Sequence, residues 1–123
     1  MISMEKDQTS QILGQAQLYS QQIQTVAAQK AALTMELHEI KRALEEVKKA
    51  KEKFVYKLSG PILIKVDSDE LVKDFDEKET MVNLRLKTLE KQELRLKEKI
   101  EELRTRMIKV APSSKDDEEE NVR

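Results

Sequence analysis

The chain has 123 residues, with 23 Lys and Arg set against 24 Asp and Glu, and no Cys or Trp. Charged residues make up 38% of it and aromatics only 3%, which argues against an ordinary globule with wide apolar faces and points to long helices carrying narrow stripes. The charges are balanced and interleaved, which argues against nucleic acid as the main partner, because phosphate binding needs a clustered basic face.

Residues 1–9 carry weak signals. Ile2 and Met4 are apolar in a polar segment that is expected to fray. From residue 8 to 54 the pattern predicts a first coiled-coil helix. Ile12, Ala16, Tyr19, Ile23, Val26, Lys30, Leu33, Leu37, Ile40, Leu44, Val47, Lys51 and Phe54 follow alternating steps of four and three. That is a heptad repeat, and only Lys30 and Lys51 break its apolar character. Gly14 sits near the outer end, where it loosens the first turns. Lys48, Lys49, Lys51 and Lys53 are mixed with Glu45, Glu46 and Glu52, so they read as a solvated face.

Residues 55–66 break the helical pattern and predict a β-hairpin. By alternation Tyr56 and Leu58 share one face, and Ile62, Ile64 and Val66 share another. Ser59-Gly60-Pro61 is the turn signal between the runs. Pro61 cannot donate to a ladder, so it fits the start of a strand.

Residues 68–111 predict a second coiled-coil helix. Asp67 or Ser68 is the candidate N-cap, and Asp67 with Glu70 resembles a capping box. Phe75, Glu79, Val82, Leu86, Leu89, Glu93, Leu96, Ile100, Leu103, Met107 and Val110 again step by four and three. Pro112 stops the helix. Residues 112–123 form an acidic tail around Asp116-Asp117-Glu118-Glu119-Glu120 that is expected to be disordered.

The expected fold class is mainly α, a single domain built as a long antiparallel two-helix coiled coil with the hairpin between the helices. About forty residues of helix would make an arm roughly 60 Å long. One register layers Val47 with Glu79, Lys51 with Phe75, Leu33 with Glu93 and Lys30 with Leu96. The register one heptad away puts Leu44 beside Leu89. The first brings both Lys–Glu pairs into neighbouring layers and is favoured; snorkelling of these charges is the competing reading. A lone two-stranded hairpin is marginal in water and leaves open edges. Strands that are apolar on more than one face should therefore pair between subunits, as a sheet or closed barrel.

Three segments then carry a family resemblance: Ala43–Glu46, Val55–Ile64 and Leu86–Glu93. The Tyr56-Lys57-x-x-Gly60-Pro61-x-Leu63 pattern is the most specific. Together they resemble the β-type subunit of prefoldin, in its archaeal form, over about Gln8 to Val110. Heptads alone would be weak evidence, because any coiled coil supplies them. The resemblance implies a hexamer of two α-type and four β-type subunits. Its hairpins would form a double β-barrel platform from which the coiled coils hang. It further implies an ATP-independent chaperone that captures unfolded polypeptides at the tips and passes them to a group II chaperonin. Carried onto this chain, the assembly residues would be Tyr56, Leu58, Gly60, Pro61, Ile62, Leu63, Ile64 and Val66. The client-binding residues would be Ile2, Met4, Ile12, Leu13, Met107, Ile108 and Val110. Leu13 and Ile108 lie beside the heptad stripes and widen them locally. For Ile12, Met107 and Val110, packing in the seam is the stronger reading.

No catalytic constellation appears, so the chain reads as a non-enzyme. His38 is the single His, on a charged helix. The two glycines are far apart and form no phosphate loop. No metal or other cofactor has a residue basis. No run is long and apolar enough to span a membrane, and no signal-peptide core opens the chain, so a cytoplasmic location is expected. The rival function is a structural coiled-coil tether or adaptor that binds one folded partner. A DNA-binding zipper would need a basic region continuous with the heptads, which neither helix has.

Overall fold

The computed structural model describes the backbone of residues 2–110 and the side chains of residues 6–110. Helix α1 (Ile2–Ala50) is followed by strand β1 (Phe54–Ser59), strand β2 (Ile62–Asp67) and helix α2 (Ser68–Val110). The fold is thus two long helices joined by a short antiparallel hairpin. By its internal contacts the chain divides into two compact units, residues 29–90 and residues 1–28 with 91–123.

The heptad positions are the buried positions. From Ile12 to Val47 every stripe member of α1 is buried or half-buried, and so is every stripe member of α2 from Phe75 to Val110. Their neighbours are almost all exposed. A spacing of three and four keeps one narrow seam facing one partner helix, and among the described residues the other side is left exposed. Among the described residues, accordingly, no side chain is fully buried.

In the unit formed by residues 29–90, Ile40, Leu44 and Val82 make the buried cluster. Leu33, Leu37, Val72, Phe75 and Leu86 pack against it. Leu44 therefore sits with Val82, as the first register requires, and not one heptad away. In the unit that holds the helix ends, Ile12 and Val26 from α1 and Leu96 and Leu103 from α2 are buried. Lys99 Nζ lies 5.5 Å from the Tyr19 ring centroid, a cation–π contact between the two helices. The half-buried seam carboxylate of Glu93 accepts from Lys97 Nζ at 3.3 Å, one turn along.

Helix α1 ends earlier than the heptads do. The expected boundary was residue 54, but the helix stops at Ala50 and Lys51 takes φ = 52°. This left-handed residue just past the helix end turns the chain away from the axis. Lys51 is exposed and Phe54 opens β1, so neither continues the seam. The reason lies in the residues that follow. The Ser68 amide donates to the Lys53 carbonyl at 2.9 Å, and the Ser68 hydroxyl donates to the Glu52 carbonyl. These bonds hold the segment after α1 against the start of α2, where a continued helix could not go. At the other end α1 starts at Ile2, ahead of the expected residue 8, because no Pro or Gly interrupts the chain before Gly14. Helix α2 is described to Val110, and residue 111 and the predicted acidic tail 112–123 lie outside the described residues.

The start of α2 resolves the choice of cap. Asp67 Oδ1 accepts from the Asp69 amide at 2.9 Å, so Asp67 is the N-cap. Ser68 is buried and spends its hydroxyl on α1's exit segment instead. Between the strands, Gly60 and Pro61 form the two-residue loop, and Gly60 has φ = 58°. A positive φ at the first loop residue, followed by a proline that must be negative, is the φ pattern of a type II′ turn. That turn matches the twist of a hairpin. Pro61 therefore lies in the turn, and β2 begins one residue later at Ile62.

Candidate functional site

Two of the surfaces that expose apolar side chains carry the residues singled out in the sequence, each within one of the units. The first is the hairpin. Its register pairs Phe54 with Asp67, Val55 with Val66, Tyr56 with Lys65, Lys57 with Ile64, Leu58 with Leu63 and Ser59 with Ile62. Paired residues share a face, so Tyr56, Leu58 and Leu63 lie on one side and Ile62, Ile64 and Val66 on the other. Tyr56, Leu58, Ile62, Leu63 and Ile64 are all exposed, Leu58 at 70%. Val66 is half-buried at the root of the hairpin, beside Val55. Gly60 and Pro61 contribute geometry, since their turn sets this register. An isolated ribbon with apolar groups on both faces has no core of its own to put them in.

Phe54 belongs to this surface, although its spacing assigns it to the helical seam. It is exposed, with Lys65 Nζ 4.5 Å and Lys53 Nζ 5.6 Å from its ring centroid. The β-prone run Phe54-Val55-Tyr56 is the sequence signal that competes with the heptad there.

The second surface lies in the unit that contains the helix ends. There the seam is closed by Ile12, which is buried at 3% exposure, and by Met107 and Val110, which are half-buried. Leu13 and Ile108 stand outside it, at 56% and 52% exposure. The candidate residues therefore divide into seam members and exposed flanks. The side chains of Ile2 and Met4 lie outside the described residues.

A third feature has no counterpart in the sequence reading. In the unit of residues 29–90, Ala32 and Leu33 of α1 and Met81, Leu84, Arg85 and Leu89 of α2 line an open groove with a mainly apolar wall. The signal available in the sequence was the pair Met81 and Leu84, apolar residues lying off the stripe.

Among the described residues no cluster of His, Asp and Glu could hold a metal ion, and no helix is long and apolar enough to cross a membrane. His38 is exposed on α1.

Comparison with known proteins bears on most of the chain. The model of the prefoldin subunit family matches residues 10–113. Prefoldin subunit beta of Thermococcus onnurineus is 40% identical over 105 residues, covering 85% of this chain and 90% of that protein. Prefoldin subunit beta of Pyrococcus furiosus is 36% identical over 105 residues, covering 85% and 89%. The crystal structure of the prefoldin beta subunit from Thermococcus strain KS-1 superposes with a TM-score of 0.75 at 37% identity, covering 83% of this chain and 90% of that one.

Proposed function

This chain belongs to the prefoldin family, on the side of its β subunits, and from that premise we propose that it is one subunit of an ATP-independent holdase. The observation that carries the reading is the match of the family over residues 10–113, nearly all of both helices and the hairpin between them. In this reading the hairpin is the assembly element. Its two exposed apolar faces, with Tyr56, Leu58 and Leu63 on one and Ile62, Ile64 and Val66 on the other, are covered by strands of neighbouring subunits. Two α-type and four β-type chains close the platform, and this chain supplies β positions.

Client capture is assigned to the helix ends. Leu13 and Ile108 offer exposed apolar surface beside a filled seam, and Ile2 and Met4 are assigned the same role. Ile12, Met107 and Val110 contribute by holding the seam and by opening with it when the ends fray. A single pair of such contacts is weak. Several arms acting on one flexible polypeptide raise the effective concentration without nucleotide, and the captured chain is then passed to a group II chaperonin. The working location is the cytoplasm.

The test is aggregation of a chemically unfolded protein on dilution, followed by light scattering without nucleotide. It is run with this chain alone, with an α-type prefoldin subunit, and with residues after Gln92 removed. Suppression that depends on the intact arm is the expected result. No suppression by a verified hexamer would instead favour a tether that binds one folded partner.

A further inference from the structure

We infer that the flank groove of residues 29–90 is a second client-contact site, which takes a short apolar stretch of non-native polypeptide carrying a carboxylate. The inference rests on the holdase reading and deepens it. Seam packing accounts for Val82, Leu86 and Leu89, which are buried or half-buried against α1. It does not account for Met81 and Leu84, which are exposed and yet line the same groove as Ala32 and Leu33. Ala32 is small, so the α1 side of the groove is low and leaves room above it. The open volume of about 580 Å³ lies in the range of ligand-sized clefts.

The polar inventory of the groove selects the occupant. Thr88 donates its hydroxyl to the Leu84 carbonyl at 3.1 Å, which takes that donor out of play. Arg85, on the wall of the groove, makes no ion pair among the described residues. A guanidinium has donors only, and a planar carboxylate is its natural acceptor. Gln29, the remaining polar residue of the lining, is an uncharged amide whose N–H groups can donate to the same acceptor, so apolar walls with one cation complement apolar side chains with one anion. Met81 suits a changing series of such segments, since the unbranched thioether side chain repacks at little cost. The site is loose and open, as a surface that must release its occupant should be.

The absence of Cys gives a clean test. In the complex with the α-type subunit, Thr88→Cys and, separately, Gln17→Cys carry a benzophenone label. The probe is a fluorescent unstructured peptide with three leucines and one glutamate, alongside a partner peptide with glutamine in that place. The expected result is crosslinking from position 88, stronger for the glutamate peptide. In the unlabelled complex Met81→Gln with Leu84→Gln should weaken peptide binding by about three- to tenfold, as loss of two partly buried apolar contacts predicts, and Arg85→Gln should remove the preference for glutamate. Crosslinking from position 17 with none from 88 would overturn the groove and leave the holdase reading standing. No crosslinking from either position, with no suppression of aggregation, would mean that the holdase reading itself had failed. Equal use of both peptides at position 88, or crosslinks there only to a second copy of the chain, would also overturn the proposed occupant.

Discussion

The hydroxyl of Ser68, at the first position of α2, donates a hydrogen bond to the backbone carbonyl of Glu52, sixteen residues earlier and just past the end of α1. Ser68 is buried, so this bond and the one from its amide to Lys53 close the base of the hairpin. Ser68→Ala leaves the Glu52 carbonyl without that donor. A loss of about 1–2 kcal/mol is expected from an unsatisfied, partly buried acceptor. Urea unfolding of the assembled protein measures it, and Ser68→Thr, which restores a hydroxyl, should recover part of the loss. An unchanged midpoint for the alanine variant would mean the bond carries no stability.

Lys51 holds φ = 52° without being glycine. An L-residue in that region is disfavoured by about 1–2 kcal/mol. Lys51→Gly should therefore raise stability by about 1 kcal/mol, as glycine at the residue after a helix usually does. Lys51→Val should lower it, because a β-branched side chain tolerates the left-handed region worst. The order glycine, lysine, valine in thermal midpoint is the readout.

Gly14 lies in the interior of α1, and a Cβ added there would meet nothing within 4 Å. Gly14→Ala is expected to stabilise the outer turns of the helix by about 0.5–1 kcal/mol. Amide hydrogen exchange of residues around 14 should slow accordingly. If frayed ends serve capture, suppression of aggregation should weaken in the same variant.

Charge on the hairpin faces tests assembly. Tyr56→Asp with Ile64→Asp places one carboxylate on each face, at positions that are exposed in the single chain. The helices should keep their circular dichroism, while the hexamer with α-type subunit is lost on size-exclusion with light scattering. A hexamer that survives both carboxylates would remove these faces from the assembly surface.

Leu13→Ser with Ile108→Ser tests the tip. Both side chains are exposed outside the seam, so their truncation should leave the hexamer and its thermal midpoint in place. Aggregation suppression is expected to fall several-fold, on the order of the loss of two apolar contacts per arm. A broken hexamer would show that the two residues serve structure.

The sequence alone determined the two helices, the hairpin between them, and which side chains enter the seam. From Ile12 to Val47 and from Phe75 to Val110 the spacing names the buried positions one by one. That is possible because a seam against one partner is a one-dimensional object, set by periodicity along each helix. The division of the helix ends into seam members and exposed flanks was legible for the same reason, with Leu13 and Ile108 one step off the stripe. Contacts between segments distant in the chain decided the rest. Heptad spacing runs on through Lys51 to Phe54, but bonds from Ser68 to the carbonyls of Glu52 and Lys53 end α1 at Ala50. Periodicity repeats every seven residues and permits neighbouring registers, so only the packing of Leu44 with Val82 distinguishes them. The groove beside Ala32, Met81 and Leu84 needs side chains from both helices at one level, which no pattern along a single helix specifies.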